Sequence, residues 1–287
     1  MFRDAYAAHV EVVPDATGSA RSGAWVVLLP RGNADAGSAA SCSRELQLLV
    51  ALQREQLPFR TPRSLGTLPT PHGTAFAREY LPGIPVDLRA GRQPGIQPWE
   101  VVATIAAAVH AIDARKVALL FPKAPATRRD HARLELRALE SLQLAEARDA
   151  AAWAAEHAPP DEPAVLLYGD LLGQNILVDP TDSRPFAAID WSEAMMSDPA
   201  YDFAIVTRGA RRPFQIEGGL DRLLEAYPAR PGAHPCVTRE QVHLYELCLA
   251  AHWCKVALAA SPSDRIEPVA EATARLRRVL AMATSAR

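Results

Sequence analysis

The spacing of hydrophobic positions along this chain changes character near residue 80. Upstream, apolar residues gather in short runs bounded by turn formers, as strands do. Downstream, they recur every three or four residues over long stretches, as helices do. His9 to Val13 carries alternating β-branched residues and stops at Pro14, and Ala24 to Leu29 (AWVVLL) reads as a buried strand ended by Pro30. Residues 15–23 between them (DATGSARSG) are small and polar, a long loop tip. Ser43 to Gln56 places apolar residues at helical spacing, with Ser41 or Ser43 to cap its start and Pro58 beyond its end. Ser64 to Leu68 and Thr74 to Tyr80 are two further strands, and Leu81-Pro82-Gly83 then breaks the pattern. The order is β-β-α-β-β.

After the break the chain is mostly helical. Trp99 to Ile112 and Arg128 to His157 are alanine-rich helical stretches, the second interrupted; Leu220 to Tyr227, Arg239 to Ala260 and Glu267 to Thr284 are also helical. Val165 to Leu167, Ile176 to Val178 and Ala187 to Ile189 are short strands around a tight loop. The pattern predicts an α+β chain. Residues 1–80 form a small antiparallel-sheet unit with one helix, and residues 81–287 form a larger helical unit that carries the loop segment 165–202.

Composition narrows the class of function. The 287 residues carry a formal charge of −2, so no sequence-wide basic field argues for nucleic acid. The longest uncharged apolar runs fall short of the ~18 residues that a membrane span needs, and the start Met1-Phe2-Arg3-Asp4 lacks a signal-peptide pattern. Cys42, Cys236, Cys248 and Cys254 include no CxxC pair and read as thiols of a reducing compartment. A cytoplasmic protein with neither nucleic-acid nor membrane partners is expected, as a monomer or weak dimer.

The chemistry concentrates in Leu166 to Asp190, LLYGDLLGQNILVDPTDSRPFAAID. Asp170 sits on a loop, Asn175 opens a strand five residues later, and Asp190 ends the next strand. Two short antiparallel strands would fold Asp190 back beside Asn175, so that their oxygens hold Mg²⁺, a hard cation that also takes phosphate. Asp170, outside the metal shell, would orient the proton of an attacking hydroxyl. Phosphoryl transfer needs these parts and little covalent help. Taken singly, each residue reads as a turn former or strand end; the combination and spacing point to function. Other chemistries lack their motifs: there is no G-x-S-x-G elbow and no Walker G-x4-G-K-[ST]. His243, Cys248, His252 and Cys254 spread around more than one helix face, which disfavours a shared zinc site.

The segment Tyr168-Gly169-Asp170-Leu171-Leu172-Gly173-Gln174-Asn175 resembles the His-Gly-Asp-x4-Asn loop of the aminoglycoside phosphotransferase family. Ile189 to Ala194, then Asp198-Pro199-Ala200-Tyr201-Asp202, resembles that family's metal-binding segment and the motif after it, and Val109-His110-Ala111-Ile112 its Leu-His-x-Ile/Leu helix end. Leu57-Pro58-Phe59-x-x-Pro62 and Ile189 to Ala194 are similar to macrolide phosphotransferases in particular. The resemblance implies a bilobal protein-kinase-like fold and an enzyme that moves a phosphoryl group from ATP or GTP, with Mg²⁺, to a hydroxyl of a small molecule. An antibiotic is the leading acceptor; a metabolic small-molecule kinase and a catalytically silent nucleotide- or partner-binding protein are the alternatives.

By the same resemblance Asp170 is the catalytic base, Asn175 and Asp190 are metal ligands, and Asp198 braces the catalytic loop with Tyr168 supporting it. Glu45 is the helix glutamate that pairs with a strand cation, Glu79 to Leu81 form the purine-binding hinge, and Gly18 and Ser19 belong to a phosphate-covering loop. Glu193, Tyr245, Glu246 and Trp253 are acceptor-binding candidates, although Tyr245, Leu249 and Trp253 also read as a buried helical stripe, with Trp253 equally able to line a pocket. Two positions depart from the family. Tyr168 stands where histidine is usual, and Leu28 stands where the phosphate-gripping cation belongs. Arg31 lies close in sequence and is a candidate replacement, although it reads equally well as an exposed strand-end arginine.

Overall fold

The computed structural model describes residues 5–11, 24–30, 36–70, 73–89, 95–207, 214, 217–235, 237–261 and 267–285. Four strands, β1 (Ala5–Glu11), β2 (Ala24–Pro30), β3 (Ser64–Thr70) and β4 (Gly73–Glu79), form an antiparallel sheet in the order β1-β2-β4-β3. Helix α1 (Ala36–Leu52) is inserted after β2 and packs on β3 and β4. It buries Leu46, Leu48, Leu49 and Leu52, spaced to share one side of the helix. At about 2 kcal/mol of transfer free energy per buried leucine, this stripe explains why α1 lies against the sheet.

Two boundaries differ from expectation. Strand β1 begins at Ala5, not His9, because its register with β2 runs from Ala5↔Pro30 to Glu11↔Ala24. Helix α1 begins at Ala36, seven residues before Ser43, because the small residues of AGSAAS continue the helix instead of stopping it. Ser43 is thus interior, accepting from Gln47 one turn on.

Beyond Tyr80 the chain crosses to a helical lobe. It contains α2 (Pro98–His110), α3 (Arg128–Glu140), α4 (Ala145–Glu156), α5 (Pro199–Thr207), α6 (Gly219–Ala226), α7 (Arg239–Ala259) and α8 (Val269–Ser285). Caps set several starts: Pro98 opens α2, Thr127 accepts from Asp130 N at α3, and Thr238 with Gln241 forms a capping box at α7. Two small antiparallel sheets lie among the helices. One is β5 (Ile84–Pro85), β7 (Ile176–Val178) and β8 (Phe186–Ala188); the other is β6 (Val165–Leu167) with β9 (Met195–Ser197). One hydrophobic core runs from the α1 leucines to Leu276 and Val279 of α8. The fold is α+β and protein-kinase-like, a small sheet lobe on a larger helical one. Among the described residues no helix is long and apolar enough to cross a membrane.

Candidate active site

Strand β6 leads into the loop that carries Asp170 and Asn175. Gly169, immediately after Tyr168, has φ of 83°, and a Cβ there would meet the Glu193 carbonyl oxygen at 2.0 Å. Only glycine lets the loop lie this close to the segment behind it. Asn175, at the end of a 3-10 turn (Gly173–Asn175), donates from Nδ2 to the Asp170 carbonyl at 3.0 Å and to its Oδ2 at 2.9 Å. Strands β7 and β8 pair with Ile176 opposite Ala188, and Ile189 N donates to the Asn175 carbonyl at 2.9 Å. The hairpin therefore sets Asp190 beside Asn175, as the spacing of the three residues predicts.

Asp190 holds φ at 61°, a left-handed conformation uncommon for a residue with a Cβ. Such strain persists only where surrounding contacts impose it, and it gathers at functional sites. With Asn175 Nδ2 engaged by Asp170, the Asn175 Oδ1 and the Asp190 carboxylate remain as hard oxygen donors. That pair suits Mg²⁺, which uses one or two protein ligands and completes its shell with phosphate and water. Among the described residues no group of three or more His, Cys, Asp or Glu could hold a metal, so these two oxygens and a bound phosphate would have to suffice.

Aromatic packing fixes this hairpin from below. Tyr168 is fully buried, its hydroxyl donates to the Ile189 carbonyl, and its ring meets Trp191 edge-on with centroids 4.6 Å apart. Burial first, then the Asp190 and Asp170 charges, hold its phenol well above the ordinary range, so it stays a neutral donor. Trp191 stacks on Phe59 at 6.4 Å and donates from Nε1 to Ala188 O. Arg60 extends the same support: its N donates to Phe186 O and its carbonyl accepts from Ala188 N. The segment Leu57 to Pro62 thus buttresses β8, the strand that leads to Asp190.

One assignment is corrected. Asp198 does not brace the catalytic loop; its buried carboxylate accepts from Arg128 Nε at 2.9 Å and from Ala200 N at 2.8 Å, at the start of α5. Burial pushes the Asp198 carboxyl up against the opposing pull of Arg128. The bracing aspartate is Asp202, one turn further on, which accepts from Tyr168 N at 3.0 Å and Gly169 N at 2.7 Å. Its Oδ2 also lies 3.1 Å from His110 Nε2, and His110 Nδ1 lies 2.8 Å from the Tyr227 hydroxyl. Tyr227 Oη also accepts from His234 N, and an arrangement that satisfies every group has Tyr227 donating to Nδ1 and His110 Nε2–H donating to Asp202. The His110 helix end was visible in the sequence, but its partner was not.

A second residue escaped the sequence reading. Arg78 of β4 places Nη1 2.6 Å from Glu45 Oε1 of α1. Glu45 is 2% exposed and also accepts from Trp191 N at 3.3 Å. Arg44 joins the same two regions through the Ser192 carbonyl at 3.1 Å. The available signal was a single cation in the strand GTAFARE.

The remaining predicted residues distribute as follows. Gly18, Ser19 and Arg31 lie outside the described residues. Glu79 pairs with Arg63 at 3.0 Å, and Leu81 packs on Leu177 and Ala187 where the chain enters the helical lobe. Glu193 is exposed, and its backbone carbonyl lies against Gly169. Trp253 is half-buried beside the His252 ring. Tyr245 and Glu246 are corrected as acceptor contacts. They are 0% and 1% exposed, because α7 is a core helix here; Glu246 is held by His243 Nδ1 at 2.8 Å, and the Tyr245 ring packs on Tyr201.

A sheet lobe over a helical lobe, with an Asp-x4-Asn loop facing a hairpin aspartate, defines a kinase-type phosphotransferase. The chain belongs to the phosphotransferase enzyme family, whose sequence model matches residues 16–245, and acts as a small-molecule phosphotransferase with an alcohol group as acceptor. No curated protein matches the sequence. Among solved structures it is similar to the macrolide 2'-phosphotransferase MphH from Brachybacterium faecium (24% identity, 89% of this chain and 85% of that one, TM-score 0.62). It is also similar to the GDP complex of aminoglycoside 2'-phosphotransferase-IIIa (16% identity, 90% and 86%, TM-score 0.64). A putative aminoglycoside phosphotransferase from Ralstonia eutropha JMP134 is similar over 99% of this chain and 93% of its own (14% identity, TM-score 0.64). At these identities the structures speak for the fold.

Proposed function

We propose that this protein transfers the γ-phosphate of ATP or GTP to a hydroxyl of an antibiotic of the aminoglycoside or macrolide kind. The observation that carries the reading is Asp170, held at 2.9 Å by Asn175 in a hairpin that also presents Asp190. Asp170 would accept a hydrogen bond from the acceptor hydroxyl and take its proton as the new oxygen–phosphorus bond forms and the bond to the nucleoside diphosphate breaks. Mg²⁺, when bound through Asp190 and Asn175, supplies neutralisation of phosphate charge. Gly18 and Ser19 are assigned to the phosphate-covering loop and the backbone of Glu79 to Leu81 to the purine. Glu193 and Trp253 are assigned to the acceptor. Residues 1–80 and 81–287 are taken as the two lobes, and the protein is placed in the cytoplasm as a monomer or weak dimer.

The acceptor class draws on relatives: one similar structure is described as a GDP and kanamycin complex and another as a streptomycin–ATP ternary complex. The missing β2 cation at Leu28, which would favour a catalytically silent protein, is answered by the strand cation that pairs with Glu45. The test is nucleotide consumption over a panel of aminoglycosides, macrolides and small metabolites. Asp170→Ala is expected to lower kcat by about a hundredfold to ten-thousandfold while the melting temperature and nucleotide affinity stay put. Turnover within tenfold of wild type would remove Asp170 from the role of base.

A further inference from the structure

The family position for the cation that grips the nucleotide phosphates is occupied by Leu28, a partly buried residue packed against the core. Leucine offers phosphate nothing, so a chain that uses a nucleoside triphosphate must supply the charge from elsewhere. In the sheet, Val26 pairs with Arg78 and Leu28 pairs with Phe76. Directly paired residues project to the same face, as do residues two apart on one strand. Leu28 and Arg78 therefore share one face of the sheet as diagonal neighbours on adjacent strands, a separation of about 7–8 Å. Arg78 makes the contact the family cation would make, to Glu45 of α1 at 2.6 Å.

We infer that Arg78 replaces the missing β2 cation and contacts the donor phosphates from β4, held in place by Glu45; this rests on the phosphotransferase reading above. Three features favour a ligand contact over a simple strut. Glu45 also accepts from Trp191 N, the residue after Asp190, so the pair is anchored to the metal-bearing segment rather than to the back of the sheet. The Tyr168 phenol, raised first by burial and then by the Asp190 and Asp170 charges, is pulled back by Arg78, so the guanidinium and those two carboxylates neighbour the same hydroxyl. Finally, Glu45 takes one nitrogen, Nη1, and the planar fork of arginine keeps further N–H donors suited to phosphate oxygens. A buried ion pair alone adds little stability relative to apolar packing, so stability does not account for its presence here.

Binding of ATP and GTP with Mg²⁺, and of adenosine and guanosine without phosphate, separates the possibilities. Arg78→Met is expected to weaken the bound nucleotide by about tenfold to a hundredfold, the range for a lost charged hydrogen bond, and to leave nucleoside affinity unchanged. A purely structural arginine would move both or neither. Adding Leu28→Lys to Arg78→Met returns a cation to the same sheet face and is expected to recover most of the nucleotide affinity. If Arg78→Met does not fold, the comparison of Glu45→Gln with Glu45→Gln/Arg78→Met replaces it, since the double variant strands no buried carboxylate. A folded variant lacking Arg78 that keeps nucleotide affinity within twofold of its parent overturns the relocation and leaves the phosphotransferase reading standing. A wild-type protein that binds neither ATP nor GTP overturns both.

Discussion

Gly169 combines a φ of 83° with backbone contact to Glu193 close enough to exclude a Cβ. Neither demand shows in a Tyr-Gly-Asp triplet, because both come from a segment more than twenty residues downstream. Gly169→Ala is expected to destabilise the fold by more than about 2 kcal/mol and to abolish turnover by displacing Asp170, as read by denaturant unfolding and kcat together. Near-wild-type stability would mean that the loop can retreat from Glu193. The placement of Asp170, Asn175 and Asp190, by contrast, was legible because it depends on spacing within one short hairpin. Arg78 was not, because a strand arginine acquires meaning only when the sheet register sets it diagonal to Leu28.

Elements were legible in proportion to their length and amphipathicity. The division of Arg128 to His157 into α3 and α4, and the extents of β6 and β7, match the periodicity. Strand β5 was missed because Ile84-Pro85 is too short to show a pattern, β9 because Met195-Met196-Ser197 lacks the β-branched residues that mark β6 and β7, and α5 because it is buried nearly all round and has no polar face to mark it. That missed helix carries the brace. Asp198 and Asp202 are four apart, so sequence could not say which carboxylate meets the catalytic loop; the direction of α5 gives the loop to Asp202 and Arg128 to Asp198. Asp202→Asn would turn an NH₂ group toward donors that now meet only oxygen. A loss of about 2–4 kcal/mol in stability is expected, with kcat reduced and nucleotide affinity in the folded fraction retained. A kcat equal to wild type would show that the loop holds its shape without the brace.

At the scale of the whole molecule, the helical lobe is closed around buried polar groups that respond to acid. His131 of α3 shares a 2.6 Å hydrogen bond with Ser197 Oγ of β9 and lies against the Tyr201 and Tyr245 rings. Burial holds its imidazole down at about 4, from 6.5. Between those values the unfolded chain takes up a proton that the folded chain refuses, so stability falls as pH drops from 6.5 toward 4, by about 3 kcal/mol in all. Glu135, 3.6 Å from Nε2 and itself pushed up by burial, works in the opposite direction at the low end. His131→Asn is therefore expected to show a flatter stability–pH curve over that window than wild type in parallel urea titrations. Superimposable slopes would mean that the histidine charges in place.

The sequence by itself determined the β-β-α-β-β order of the first eighty residues, the α+β class and the hairpin that joins Asp170, Asn175 and Asp190, because helix period, strand period and the spacing of those three residues are local properties of the chain. It also exposed the vacancy at Leu28. Tertiary structure alone decided which residues answer each other across the fold: Arg78 with Glu45, Asp202 with the catalytic loop, and Tyr245 and Glu246 with the core instead of an open cleft. Those partners lie from 33 to 34 residues apart in the two pairings that matter most, and only strand register and helix docking bring them within hydrogen-bond reach.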